Sequence, residues 1–307
     1  MSALPPFPQS VGQRTLKSTI HCSGVGLHGG QPVRMTLRPG DTDTGIVFMR
    51  TDVDEEVGLV LARHTSVVDT RLCTVIGNGA GTTVGTIEHL MAALRASGID
   101  NAVIELDGPE VPIMDGSSAP FMFLIECAGT TDQGVARRSI RILHPVQVDE
   151  GDKSARLLPA DGSHFGFEID FPSKAIGQQK FACTLTEGTF KQAIARARTF
   201  GFLHEVEYLR KVGLARGGSL DNAIVVDADT VLNPEGLRFA DEFVRHKTLD
   251  AIGDLYLAGG PIIGRYVGVK AGHDLNSKLL ATLFATPTAW TWEAADTAVT
   301  MPMAVPA

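Results

Sequence analysis

Apolar and polar positions alternate over residues 15–20 and again over 32–37, the period of two that half-buried strands show. Between them the turn-rich run Gly24-Val25-Gly26-Leu27-His28-Gly29-Gly30 interrupts the pattern. The period then lengthens to that of a helix over 86–96, returns to a strand at Ala102–Leu106, and lengthens again over 118–127, behind the turn Met114-Asp115-Gly116-Ser117. From 129 to 138 a polar stretch shows neither period and predicts a boundary. Beyond it the pattern predicts strands over 140–148 and 165–171, a helix over 188–197 and a strand over 222–226. A helix through 244–255 and a strand at Ile262–Val269 complete the series.

Each half therefore runs strands first, then a helix with a histidine in its opening turns, then a strand. Setting Glu88-His89-Leu90-Met91-Ala92-Ala93-Leu94 beside Arg245-His246-Lys247-Thr248-Leu249-Asp250-Ala251 suggests two copies of one unit. Strands grouped ahead of helices predict an α+β fold and not a doubly wound parallel sheet. The same pattern disfavours a dinucleotide fold: Gly24-Val25-Gly26 has no third glycine at the fingerprint spacing and does not join a strand to a helix. The expected organisation is an N-terminal α+β domain over 1–130, a C-terminal α+β domain over 137–286, and a tail over 287–307, which suits a length of 307 residues.

Composition narrows the function classes. Hydrophobic residues make up 44% and charged residues 20%, the balance of a soluble globular chain. A net charge of −8 argues against a broad nucleic-acid surface and leaves room for a local basic cluster on a phosphorylated small molecule. Cys22, Cys73, Cys127 and Cys183 are scattered without a CxxC pair, which fits free thiols in a reducing cytosol. With no secretory leader and no apolar run of membrane-spanning length, the expectation is a cytoplasmic protein without stable membrane insertion.

The chemistry rests on the two histidine-bearing helices. His246 and Asp250 are four residues apart and share a helix face, so imidazole and carboxylate can grip one metal ion from neighbouring turns; Asp254 extends the row. By itself such a pair is more often a solvated face opposite an apolar stripe, here Val244, Ala251, Ile252 and Leu255. The first helix has its own stripe, Ile87, Leu90, Met91 and Leu94, but carries Ala92, Ala93 and Ala96 where a solvated face would be charged. Small residues there predict packing on both sides, which buries Glu88 and His89; a hydrogen-bonded His–Glu pair accounts for them as readily as a metal does. Taken together, His89, His246 and Asp250 would supply three ligands and leave one tetrahedral position open, the catalytic type of zinc site. Glu88 beside a ligand is placed to act as general base, although the HExxH motif is absent. His273, in Lys270-Ala271-Gly272-His273-Asp274, would serve as acid or oxyanion stabiliser with Asp254 as its partner; a loop histidine standing alone is more often a surface residue.

With these residues assembled, the chain closely resembles the UDP-3-O-acyl-N-acetylglucosamine deacetylases of lipid A synthesis in Gram-negative bacteria. The resemblance runs through Ser23-Gly24-Val25-Gly26-Leu27-His28, Thr86-Ile87-Glu88-His89-Leu90-Met91-Ala92-Ala93-Leu94 and Pro112-Ile113-Met114-Asp115-Gly116-Ser117. It continues through Ala197-Arg198-Thr199-Phe200-Gly201-Phe202, Gly217-Gly218-Ser219-Leu220-Asp221-Asn222-Ala223, Phe243 to Asp254, and Gly272-His273. It implies two similar β-rich domains with helices packed between their sheets, each with a small insertion, and a zinc-dependent amidase that releases acetate from the glucosamine 2-amino group. By position it implies His89, His246 and Asp250 as Zn2+ ligands, Glu88 as general base, His273 with Asp254 as cationic partner, and Thr199 as the hydroxyl on the oxyanion. Lys247 and Lys270 match lysines near the substrate's phosphates, and Phe171 matches an aromatic that stacks on uracil. Phe200, Phe202 and Gly218 match further substrate contacts, with Phe202, Leu203, Val206, Leu209 and Leu214 in the region of an acyl passage. Gly29 departs from the Ser or Thr that relatives carry there. The expected partner is a UDP-linked acylated N-acetylglucosamine and the expected state a monomer. A zinc deacetylase for another acylated nucleotide sugar, and a non-catalytic nucleotide-sugar binder, are the alternatives; the intact set of ligands, base and acid disfavours the second.

Overall fold

The computed structural model describes residues 12–294. The Pro-rich start and the last thirteen residues of the expected tail lie outside them. The first half contains β1 (Gly12–Leu16), β2 (Ile20–Val25), β3 (Pro32–Pro39), β4 (Ile46–Arg50), α1 (Glu55–Gly58) and β5 (Leu59–Leu61). It continues with β6 (Val67–Asp69), β7 (Val75–Gly77), β8 (Thr83–Val84), α2 (Glu88–Ala96), β9 (Ala102–Leu106), α3 (Ala119–Ala128) and β10 (Thr130–Ala136). The second half opens with β11 (Arg138–Ile142), β12 (Val146–Glu150), β13 (Lys153–Leu158), β14 (Ser163–Asp170), β15 (Gln178–Thr184) and α4 (Glu187–Ala193). There follow β16 (Phe200–Phe202), α5 (Leu203–Lys211), β17 (Ile224–Asp227), β18 (Thr230–Val231), α6 (Glu242–Tyr256), β19 (Ile262–Val269), α7 (His273–Phe284) and β20 (Trp290–Ala294).

The fold is α+β, as the grouping of strands and helices predicts. Strands of the first half form a sheet in the order β2-β3-β9-β4-β5, and those of the second a sheet built on β12-β13-β19-β11-β20 with β14 and β15 attached through β19. In each sheet the strand that follows the histidine-bearing helix takes a parallel partner: β9 pairs parallel with β4, and β19 with β11 and β14. The shared plan of helix followed by parallel-paired strand fits two copies of one unit. α3 lies on β2, α6 on β14 and β15, and α7 on β12 and β13, while α2 and α6 pack on each other. One continuous apolar core runs through both halves.

Helix α2 explains itself through that position. Ile87, Leu90, Met91 and Leu94 are fully buried, and so are Ala92 and Ala93 on the other face, so the small residues do mark close packing on both sides. Each of the four large side chains stabilises the fold by about 1.5–3 kcal/mol when removed from water.

Several elements differ from the sequence pattern for identifiable reasons. Residues 15–20 are not one strand: β1 ends at Leu16 and β2 starts at Ile20. The expected boundary at 129–138 contains β10, which pairs antiparallel with β1 and is largely exposed on both faces, so no alternation marks it. Residues 140–148 divide into β11 and β12 around Leu143-His144-Pro145. Part of the expected tail is β20, paired along β11. The helix expected over 188–197 stops at Ala193, capped at its start by the Thr186 hydroxyl accepting from Thr189 N–H, and residues 194–199 run irregularly toward α6.

Candidate metal centre and active site

His89 in the first turn of α2 meets His246 and Asp250 of α6. Gly253 makes this approach possible, because a Cβ there would fall 2.0 Å from the Glu88 carbonyl oxygen. Among the described residues these three side chains converge as a group able to hold a metal ion, with ligand atoms within 4.8 Å of one another. All three are buried. Asp250 Oδ1 lies 3.2 Å from His246 Nε2 and 3.6 Å from His89 Nε2, and the two rings meet edge to face at 4.9 Å.

The tautomer of His246 shows why a cation belongs there. Its Nδ1 lies 3.1 Å from the Ala197 carbonyl, which only accepts, so Nδ1 carries the proton and Nε2 offers a lone pair. That lone pair faces Asp250 Oδ1, a buried oxygen with no hydrogen-bond partner. Two acceptors at that separation, out of water, repel each other unless a positive charge sits between them. Burial, with His246 close by, pushes the His89 imidazole down to about 3, so it stays neutral, and burial lowers His246 as well. Burial opposes ionisation of Asp250, but His246, Lys247 and the neighbouring histidines together hold it below the ordinary carboxylate value. Two neutral imidazoles and one carboxylate are the donor set zinc takes, with a position to spare.

Beside this cluster stand two linked acid–base groups. Glu88 is buried and accepts from Thr74 N–H at 3.1 Å. Burial raises its carboxyl to about 7, against the opposing pull of His273. His273 Nε2 lies 3.8 Å from Glu88 Oε1, and its Nδ1 donates to Asp254 Oδ2 at 2.8 Å. Burial alone would discharge His273, yet Asp254 and Glu88 outweigh it and raise the imidazole to about 9. Asp254 is held by two further donors, the Thr74 hydroxyl at 2.6 Å and Asn276 Nδ2 at 2.9 Å, and Tyr266 OH donates to Asn276 in turn. His273 is therefore no surface-loop residue: it opens α7, whose Leu275, Leu279, Leu280 and Leu283 anchor it in the core.

A cavity of about 780 Å³ reaches this site and is lined in part by His273, Lys247, Lys270, Phe171, Tyr208 and Leu209. Lys247 bonds Asp250 Oδ2 at 3.0 Å, which keeps it charged against the cost of its burial. Lys270 lies between Asp152 at 3.0 Å and Asp170 at 2.9 Å, so an anion entering here would compete with two carboxylates for it. Phe171 packs on Phe200 and Phe202. Phe200 and Phe202 are not among the side chains that line the cavity; Phe200 meets Phe243 edge-on at 4.9 Å and lies under Lys247 Nζ, which is 5.9 Å from its ring centre. Gly218 belongs to a loop packed on Leu27, its N–H on the Ala215 carbonyl at 3.3 Å. Thr199 is half-buried, two residues past the carbonyl that holds His246, with its N–H on the Gly116 carbonyl at 2.8 Å. Sequence reasoning gave no role to Thr74, Asn276, Tyr266, Arg198 or Glu242; their key partners, Glu88 and Asp254 for Thr74, Asp254 for Asn276, and Arg198 for Glu242, lie on other elements.

A family model described as UDP-3-O-acyl N-acetylglycosamine deacetylase matches residues 13–285 of the chain. Over 278 residues the chain is 54% identical to the UDP-3-O-acyl-N-acetylglucosamine deacetylase of Phenylobacterium zucineum, covering 91% of this chain and 95% of the relative. The enzyme of the same name from Acidithiobacillus ferrooxidans is 53% identical over 282 residues, 91% and 92% of the two chains. That from Vibrio parahaemolyticus is 48% identical over 296 residues, 96% and 97%.

Proposed function

The chain belongs to the UDP-3-O-acyl N-acetylglycosamine deacetylase family, and from that premise and the buried His89–His246–Asp250 cluster we propose a zinc metalloamidase. Its substrate is UDP-3-O-(3-hydroxyacyl)-N-acetylglucosamine and its products are acetate and the free amine, a step of lipid A synthesis. The observation that carries this reading is the unpartnered Asp250 Oδ1 facing the His246 Nε2 lone pair. No helix among the described residues is long and apolar enough to cross a membrane; we place the activity in the cytoplasm, in a monomer of two domains, the first including β10 on β1 and the second including β20 on β11.

His89, His246 and Asp250 would hold the zinc, which supplies Lewis-acid polarisation of the acetyl carbonyl and acidification of water. Glu88 takes the proton of the attacking water as its oxygen bonds to the carbonyl carbon. Cationic His273 and the Thr199 hydroxyl face the developing oxyanion, and Asp254 keeps His273 charged and oriented. Glu88, now protonated, or His273 then gives a proton to the nitrogen as the C–N bond breaks. Lys247 and Lys270 attract the diphosphate, and Phe171 offers a face to the uracil.

Metal analysis joined to an acetate-release assay tests the division of roles. His246→Ala is expected to lose most of its zinc, whereas His273→Ala retains zinc and loses at least about 10²-fold in turnover. Equal zinc loss in both variants, or full activity in zinc-free protein, would overturn it.

A further inference from the structure

We propose that the buried ion pair Arg198–Glu242 is a positioning device that keeps the zinc-ligating His246 and the Thr199 hydroxyl in fixed register. Both partners are essentially inaccessible, Arg198 at 1% and Glu242 at 0% exposure. Glu242 Oε1 accepts from Arg198 N–H at 3.0 Å and from Arg198 Nε at 2.9 Å; Oε2 accepts from Arg198 Nη2 at 3.2 Å and from Arg238 N–H at 2.5 Å. The rest of the guanidinium reaches Glu235 and, at 2.7 Å, the Gly236 carbonyl. No rotamer of either side chain is free to change without breaking several of these bonds.

What this clamp holds gives it a purpose. Glu242 opens α6 one turn ahead of His246, so fixing it fixes the helix end that presents the ligand. Arg198 lies between Ala197, whose carbonyl receives His246 Nδ1, and Thr199, whose N–H bonds Gly116 and whose carbonyl receives Ile224 N–H. Residues 197–199 themselves belong to no helix or strand, so the pair adds rigidity to a segment otherwise held only by these few bonds. Stability is a poor explanation for it, because well-packed apolar residues commonly replace a buried ion pair without loss. Geometry is what such residues would not reproduce: outer partners of a metal-bound histidine fix its ring and its basicity.

The inference rests on the zinc-site reading above, and its test separates the two. The double variant Arg198→Met with Glu242→Leu removes both charges, and Arg198→Lys keeps the charge but loses the fork. Zinc affinity by chelator competition, kcat and KM separately, and thermal melting are measured for each beside the unaltered protein. The double variant is expected to melt within a few degrees of the unaltered protein, bind zinc about 10- to 100-fold more weakly and lose about tenfold or more in kcat at unchanged KM. Arg198→Lys is expected to shift the same quantities in the same direction by a smaller factor. Either variant, folded, with unaltered zinc affinity and kcat overturns the positioning role; if the double variant does not fold, Arg198→Lys decides. Failure of the unaltered protein to bind zinc through His246 would instead overturn the underlying reading.

Discussion

Glu88→Gln is expected to lower kcat by about 10²- to 10⁴-fold while zinc content stays unchanged. The amide matches the carboxylate in shape and can still accept from Thr74 N–H, so the pocket keeps its form. It cannot take a proton from water. The pH profile adds a second readout with a definite sign. Glu88 works as the carboxylate, so turnover should rise as pH climbs through its value of about 7; His273 works as the imidazolium, so turnover should fall as pH climbs through about 9. A bound dication favours the Glu88 carboxylate and disfavours the His273 imidazolium, which moves both limbs of the bell to lower pH. Asp254→Asn removes the main influence that raises His273 and should shift the basic limb lower still. Acetate release measured across pH checks all three; Glu88→Gln with ordinary turnover, or with its acidic limb intact, would remove Glu88 from the base role.

How much of this site could be read from the chain depends on the reach of each contact. His246 and Asp250 are legible because four residues on one helix bring them together whatever surrounds them. The stripe Val244–Ala251–Ile252–Leu255 is a poorer guide: α6 is buried nearly all round, and its carboxylates sit inside because each has a partner, Glu242 in Arg198, Asp250 in Lys247 and Asp254 in His273. His89 was marked by the alanines behind it, yet periodicity does not say which helix covers them. His273 precedes a helix signal of its own, Leu275, Leu279, Leu280 and Leu283, and that spacing places it at the head of α7 and not in a surface loop. Thr74 was not available in that way. Its N–H on Glu88 and its hydroxyl on Asp254 join segments 14 and 180 residues distant, and no local pattern encodes such a link. The same division holds in the fold: β9 and β19 alternate cleanly and were bounded to the residue, while β10 and β20 lie at exposed margins where alternation fades.

Gly253→Ala should damage the site from outside it. In an isolated helix this change would stabilise by about 0.5–1 kcal/mol, since glycine is the poorer helix former. Here the added methyl would lie 2.0 Å from the Glu88 carbonyl oxygen, 2.8 Å from its carbon and 3.0 Å from the Glu88 Cα. All three are backbone atoms of α2, so no side-chain rotation relieves the clash, and overpacking of about 1–3 kcal/mol or more outweighs the propensity gain. The helices must part by roughly 1.5 Å to restore contact distance. That movement carries Glu88 and His89 away from His246 and Asp250, and a misplacement of this size costs on the order of 10²-fold in rate. A lower melting temperature, weaker zinc binding and a kcat reduced by about two orders of magnitude are expected together, because one contact sets all three. Gly188→Ala on α4 is the control: its Cβ would find nothing nearer than Thr186 Oγ1 at 4.0 Å, so zinc binding and kcat should be unchanged and the melting temperature equal or slightly higher. Gly253→Ala with unaltered melting and turnover would mean that the two helices do not approach this closely in solution, and the three-ligand site would lose its physical basis.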